Sequence, residues 1–260
     1  MHVRLKSGSG PPLVAVHGSG TDGSRWAPVI PALAERFTVY AVDRRDHGGG
    51  SVSASDTYRI EDEFSDLVAF LDEVGGDTAI VVGHSYGALC ALGAAARGAR
   101  LGRLLLYEPP LPASPGDYCP PDLIETMRQA VGRGDADAAA VAFAARVLRM
   151  SEADIGRRRR LGVWPGVVAG TPIILRELES VARYAMEATR FAECGCPTLL
   201  LVGERSPPEY HATATALAVA LPKAQVRYLP GQAHGAIDAA PDLFARAVLE
   251  FAVEAQPHAG

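Results

Sequence analysis

Short apolar runs, each bounded by Gly, Pro or Asp, recur along the chain: LVAV (13–16), FTVYAV (37–42), AIVV (79–82), RLLLY (103–107), PTLLLV (197–202) and QVRYL (225–229). Runs of this length without polar alternation predict strands buried on both faces. Between them the apolar spacing becomes helical, in IEDEFSDLVAFLDEV (60–74), ALCALGAAA (88–96), PEYHATATALAVAL (208–221) and PDLFARAVLEFAVEA (241–255). Strand and helix alternate, which predicts an α/β fold with a mostly parallel sheet covered by helices on both faces. MHVRL at the start adds an edge strand.

One connection breaks the rhythm. About 90 residues separate the strand ending at Tyr107 from the one starting near Pro197, where an ordinary αβ loop needs roughly 2 to 6. The stretch opens with the Pro-rich PPLPASPGDYCPP (109–121) and continues with DLIETMRQAV (122–131) and DADAAAVAFAARVLRM (135–150). Asp135 is a plausible N-cap, and Ser151-x-x-Asp154 reads as a capping box. The pattern predicts a helical cap over 112–194, inserted into a core formed by 1–111 and 195–260. Four arginines at 157–160 read as a solvated helix end, because successive helical residues are turned by about 100° and cannot all face one pocket. Trp164 and Met150 are candidates either for the pocket wall or for the core of the cap.

With 260 residues, 48% of them hydrophobic, the chain can bury one large core. A net charge of -5 gives no electrostatic reason to expect nucleic acid or an anionic membrane as partner. The N-terminal MHVRLKSGSGPP lacks the apolar centre of a secretory signal, and no run approaches the ~20 apolar residues of a membrane span. A cytoplasmic enzyme is expected, as a monomer or a homodimer. Cys90, Cys119, Cys194 and Cys196 show no C-x-x-C pair and no histidine at metal spacing, so reduced thiols and no metal site are expected.

The chemistry concentrates at TAIVVGHSYG (78–87), where a predicted strand ends in Gly-x-Ser-x-Gly and a helical pattern follows at once. Gly83 and Gly87 let strand and helix approach where a Cβ would clash, which lifts Ser85 to the carboxyl edge of the sheet as a candidate nucleophile. A serine hydroxyl needs a base to take its proton, and the base needs a carboxylate to orient it. His234 lies in LPGQAHGAIDAAP, between the last strand and the last helix, and is the histidine in the right place and order. His2 and His258 are terminal, His211 falls in a helical pattern, and His17, His47 and His84 lie in other edge loops. A rival signal is the G-x-G-x-x-G of Gly18 to Gly23 with Asp43 further on, which matches a dinucleotide fingerprint. Pro28 and Pro31 would then fall inside the helix that such a site requires, so a nicotinamide cofactor is not expected.

With these residues in view, the chain resembles the α/β-hydrolase family. The resemblance rests on LVAVHGSG (13–20), VDRRDHGGGS (42–51), GHSYG (83–87), LLLYEPPLP (104–112), LLLVGERSP (199–207) and GQAHGAIDAAPDLF (231–244). It implies two oxyanion-hole N–H groups, on Ser19 and Tyr86. The family's usual acid, Gly-x-x-Asp after a late strand, is Ser206 here. Haloalkane dehalogenases carry the acid instead at the end of the strand before the cap, which implies Glu108, with Glu204 as the alternative acid. Pro109 is expected to hold Glu108 extended. Those dehalogenases and the epoxide hydrolases of this fold attack with Asp; a Ser implies acyl transfer. The expected activity is hydrolysis of a small or medium apolar ester, thioester or lactone through an acyl-enzyme, without a cofactor. C–C bond hydrolysis, acyl transfer, cofactor-free tailoring of a metabolite and simple ligand binding remain open on the same fold.

Overall fold

The computed structural model describes residues 1–48, 58–111, 118–184 and 188–253. The Pro-rich residues 112–117, the end of the glycine run after Gly48, the last helix beyond Val253 and His258 lie outside the described residues. Seven strands form one sheet in the order β1-β3-β2-β4-β5-β6-β7. They are β1 (His2–Ser7), β2 (Pro12–Val16), β3 (Thr38–Asp43), β4 (Ile80–His84), β5 (Arg103–Tyr107), β6 (Thr198–Gly203) and β7 (Ala224–Leu229). Only β1 runs antiparallel, against β3, while the remaining pairs are parallel. The strands expected from the apolar runs all form. Burial on both faces fails for β7, where Gln225 and Tyr228 are exposed, because this strand is the sheet edge and lacks a neighbour on one side.

Strand residues alternate between two apolar layers, as a pleat of period two requires. Val14, Val16, Val81, Leu104, Leu106 and Leu200 face α2 (Ile60–Val74), α3 (Tyr86–Ala95) and α9 (Pro208–Ala220). Leu13, Ala15, Val82, Leu105, Leu199 and Leu201 pack on the other side with Leu33 of α1 (Ile30–Ala34) and with Phe244, Val248 and Phe251 of α10 (Pro241–Val253). Each fully buried Leu or Phe of this kind contributes about 1.5–3 kcal/mol. Every residue of α3 is buried, as expected of a helix that is apolar all round. Among the described residues no helix is long and apolar enough to cross a membrane.

The insertion folds as α4 (Pro121–Gly132), α5 (Ala136–Arg146), α6 (Glu152–Arg160), α7 (Trp164–Ala169) and α8 (Thr171–Arg183). Asp135 caps α5 by accepting from the Ala138 N–H at 3.0 Å, and Ser151 and Asp154 form the capping box of α6. Leu123, Met127, Phe143, Ile174 and Leu178 make a separate small core. Trp164 belongs to a further cluster with Ala140, Ala144 and Ile155, against which Met150 packs; both therefore pack among the inserted helices. The arginines of α6 splay, Arg157 to Asp154 and Arg159 to Asp137. In place of the long helix of a dinucleotide site, a single 3-10 turn at Gly23–Trp26 and the short α1 follow the glycine loop. The Asp43 carboxylate is taken by the Gly23 N–H at 2.8 Å and by Arg4 at 3.0 Å.

Candidate active site

Ser85 sits between β4 and α3 with φ +54° and ψ -125°, a left-handed conformation costing roughly 1–2 kcal/mol in a non-glycine residue. The glycines beside it are sterically required. A Cβ on Gly83 would lie 2.5 Å from the Ala88 Cα, and one on Gly87 would lie 2.3 Å from the Val16 carbonyl oxygen. The turn is fastened by the Ser85 N–H, which donates to the Tyr107 carbonyl at 2.9 Å. Tyr107 is the register partner of His84, so Glu108, the next residue, stands beside the serine. The Ser85 hydroxyl is half-buried and makes no hydrogen bond among the described residues; nucleophile and base contacts are often loose without substrate.

On one side of Ser85 lie Glu108 and His234. The His234 Nδ1–H donates to Glu108 Oε2 at 2.5 Å. Glu108 Oε1 accepts from the Gly203 N–H at 2.7 Å and the Ser206 hydroxyl at 2.5 Å. The expectation of an extended Glu108 fails: β5 ends at Tyr107 and Glu108 has φ +52°. That turn carries the carboxylate over the end of β6, where three donors hold a group that is 1% exposed and offset the backbone strain. The loop bearing His234 is held from several sides. The Tyr107 hydroxyl donates to the Ala233 carbonyl and accepts from the Ala236 N–H. His84 donates from Nε2 to the His234 carbonyl at 3.0 Å, and the Tyr210 ring stacks on the imidazole at 4.9 Å between centroids. A Cβ on Gly203 would lie 2.7 Å from the Ala233 Cα, so glycine is what lets this loop come down on β6. Burial, with the nearby His234 and Arg25, drives the His84 pKa well below the usual histidine range.

On the other side is the loop after β2. A Cβ on Gly18 would stand 2.9 Å from the Ser85 Cβ, which places the loop after β2 against Ser85. Neither the Ser19 nor the Tyr86 N–H donates a hydrogen bond among the described residues, and the latter is also an open donor of the first turn of α3. Beneath the loop lies a buried ionic cluster that sequence reasoning missed. Arg44 and Glu63, and Glu177 of the cap helix α8, have fully buried side chains. Burial pushes the Glu177 carboxyl up, but Arg44 and then His47 outweigh it and bring it down to about 2. His17 is pressed well below the ordinary histidine range by burial and by the charge of Arg44. Above the loop, a Cβ on Gly20 would meet Ile174 at 3.2 Å and Phe143 at 3.8 Å, so the wall there is apolar.

Glu204, the alternative acid, points elsewhere: it is exposed, and its Oε2 accepts from the Gly231 N–H at 2.7 Å. Ser206, Gly203 and Tyr107 are positioning groups that the sequence did not single out in that role. Ser206 carried a signal, because it occupies the position of the family's usual acid.

A family model described as the alpha/beta hydrolase family matches residues 13–247. A 2-(acetamidomethylene)succinate hydrolase of Mesorhizobium japonicum is 27% identical over 96% of this chain and 91% of its own. An N-formylmaleamate deformylase of Pseudomonas putida is 33% identical over half of each chain. The crystal structure of an alpha/beta hydrolase from Sphaerobacter thermophilus superposes with a TM-score of 0.83 at 31% identity, covering 96% of this chain and 98% of that one.

Proposed function

We propose, for a chain that belongs to the alpha/beta hydrolase family and is an enzyme of the hydrolase class, that Ser85 is the nucleophile, His234 the base and Glu108 the orienting acid. The substrate is a small or medium apolar ester, thioester or lactone. His234 takes the Ser85 proton as the hydroxyl adds to the carbonyl carbon, and the Ser19 and Tyr86 N–H groups receive the oxyanion. Collapse releases the alcohol or thiol, protonated by His234, and leaves an acyl-enzyme. His234 then deprotonates a water that attacks the acyl carbon, and Ser85 leaves with its proton restored. The observation that carries this reading is the 2.5 Å contact between His234 Nδ1 and Glu108, whose other oxygen is occupied by Gly203 and Ser206. That contact leaves Nε2 as the ring nitrogen for proton transfer.

A fluorophosphonate probe with intact-mass readout tests the assignment. Wild-type protein is expected to gain one adduct, and Ser85→Ala none, together with loss of p-nitrophenyl ester turnover. An unlabelled wild type would turn the reading toward a ligand-binding protein. Two of the relatives, the 2-(acetamidomethylene)succinate hydrolase and the N-formylmaleamate deformylase, favour a second reading, since an acetamido and an N-formyl group each hold a C–N acyl bond. On that reading the same residues cleave an amide, and a series of matched esters and N-acyl compounds separates the two by relative kcat/KM.

A further inference from the structure

We propose that Arg44 is a positioning residue that aims the Ser19 N–H at the oxyanion, and that Glu177 makes this aim depend on how the cap is seated. The inference rests on the reading of Ser19 and Tyr86 as oxyanion donors.

Arg44 Nε donates to the His17 carbonyl at 2.8 Å, and Nη2 donates to the Gly18 carbonyl at 3.2 Å. The Gly18 oxygen also receives the His17 Nδ1–H at 2.8 Å, and His17 Nε2 accepts from the Arg44 backbone N–H at 3.1 Å. Donors therefore converge on Gly18 O from one side. In a trans peptide the C=O and the following N–H point in opposite directions. Holding the Gly18 oxygen down on Arg44 thus turns the Ser19 N–H up, toward the face where Gly18 abuts Ser85. Tyr86, the residue of the second donor, is held by the same group: the guanidinium lies 4.6 Å from the centre of its ring. Its hydroxyl bonds that of Tyr58 at 2.9 Å, and Tyr58 donates to Glu63 at 2.5 Å.

The remaining guanidinium contacts fix Arg44 itself. Nη1 binds both oxygens of Glu63 at 2.9 and 3.0 Å, and Nη2 binds Glu177 Oε1 at 2.6 Å. These contacts reach oxygen acceptors on the loop after β2, on α2 and on α8, a set that only the planar fork of arginine can serve. Glu63 comes from the core, whereas Glu177 comes from the cap and also meets His47 Nε2 at 2.8 Å. His47 in turn donates from Nδ1 to the Thr21 carbonyl at 2.8 Å. The cap thereby grips the oxyanion loop at two points. Among the described residues Glu177 Oε2 is buried without a hydrogen-bond partner.

The experiment uses Arg44→Lys and Glu177→Gln with p-nitrophenyl acetate as substrate, a trifluoromethyl ketone as transition-state analogue, and Ser85→Ala in parallel. Thermal unfolding of each variant reports folding. In folded variants kcat is expected to fall about 10²-fold for Arg44→Lys and about 10-fold for Glu177→Gln, with KM within about twofold. Affinity for the ketone should fall by the same factor as kcat. A folded Arg44→Lys protein with wild-type kcat, or with its loss confined to KM, overturns the positioning role. If the lysine variant fails to fold, the isosteric Glu177→Gln decides: wild-type kcat and ketone affinity overturn the proposal. Turnover retained by Ser85→Ala would instead overturn the active-site reading beneath it, whatever the other variants do.

Discussion

The two sides of Ser85 are built on different principles. Glu108 and His234 are held by the ends of β5 and β6 and by the loop after β7, so the hydrogen bonds made by these two side chains join core to core. The loop carrying Ser19 is held by Arg44, whose own partners are split between α2 of the core and α8 of the cap. On the proposed mechanism, proton transfer is set by a sheet edge, while oxyanion binding is set by a joint between two layers. The difference also appears in how charge is handled. One side places a single carboxylate among neutral donors and one histidine, and the other buries an arginine between two glutamates, where loss of the arginine strands two buried carboxylates.

Glu108→Gln should produce the largest effect. A glutamine at 108 can still accept from the Gly203 N–H, but it offers the His234 ring an amide in place of a carboxylate and no longer stabilises the imidazolium. Kcat is expected to fall by about 10³–10⁴-fold. The thermal midpoint should move far less than in Arg44 variants, because no charged partner is stranded. Steady-state kinetics and thermal unfolding on the same preparation check both halves. A fall below about tenfold would place the orienting acid elsewhere and dissolve the division between the two sides.

The positions proposed on both sides were legible in the sequence, by residue pattern or by resemblance, and the ionic cluster beneath the second was not, for physical reasons. Gly83, Ser85 and Gly87 announce themselves because a tight turn demands those residues in one order, and His234 follows from its place after the last strand. Glu108 emerged by resemblance, yet its backbone was misjudged: local preference before Pro109 was overruled by hydrogen bonds to residues 95 and 98 positions away. Arg44, Glu63 and Glu177 leave no local trace. Glu63 and Glu177 lie in helical segments where a carboxylate ordinarily faces water, and the contact from Arg44 to Glu177 spans 133 positions. The helix α8 itself escaped notice, its buried face interrupted by that glutamate. The central strands were legible because their buried residues, such as Leu13–Val16, Ile80–Val82 and Leu104–Tyr107, form unbroken apolar runs.

Each side also contains a buried neutral histidine, and acid should expose them. His17 and His84 are held well below the ordinary value of 6.5. As pH falls below 6.5 the unfolded chain takes up a proton at each, the folded chain does not, and stability declines. The slope from these two groups approaches about 2.7 kcal/mol per pH unit, two protons' worth. Glu177 acts lower: with a folded value of about 2 against 4.5 unfolded, its contribution is complete above 4.5 and is lost between there and 2. Urea unfolding at pH 7.0, 6.0 and 5.0 checks this. A midpoint that holds steady down to pH 5.0 would mean that both rings accept a proton in place, and half the slope that one does.

The smallest effect belongs to Glu204, which shares its end of the sheet with Glu108. It follows β6 directly, within three residues of Gly203 and Ser206, and on sequence it competes for the same role. In the fold its carboxylate turns outward to the Gly231 N–H, while Gly203 and Ser206 both serve Glu108. An exposed carboxylate bound to one backbone N–H contributes little to stability, on the order of 0.5–1 kcal/mol. Glu204→Gln retains an oxygen acceptor for that N–H, so kcat and kcat/KM should stay within about twofold of wild type. Assayed beside Glu108→Gln, it isolates position from charge: both substitutions remove one carboxylate from the same sheet edge, and only one removes it from His234. Comparable losses in the two would show that the field at this edge, rather than the contact to Nδ1, governs the base.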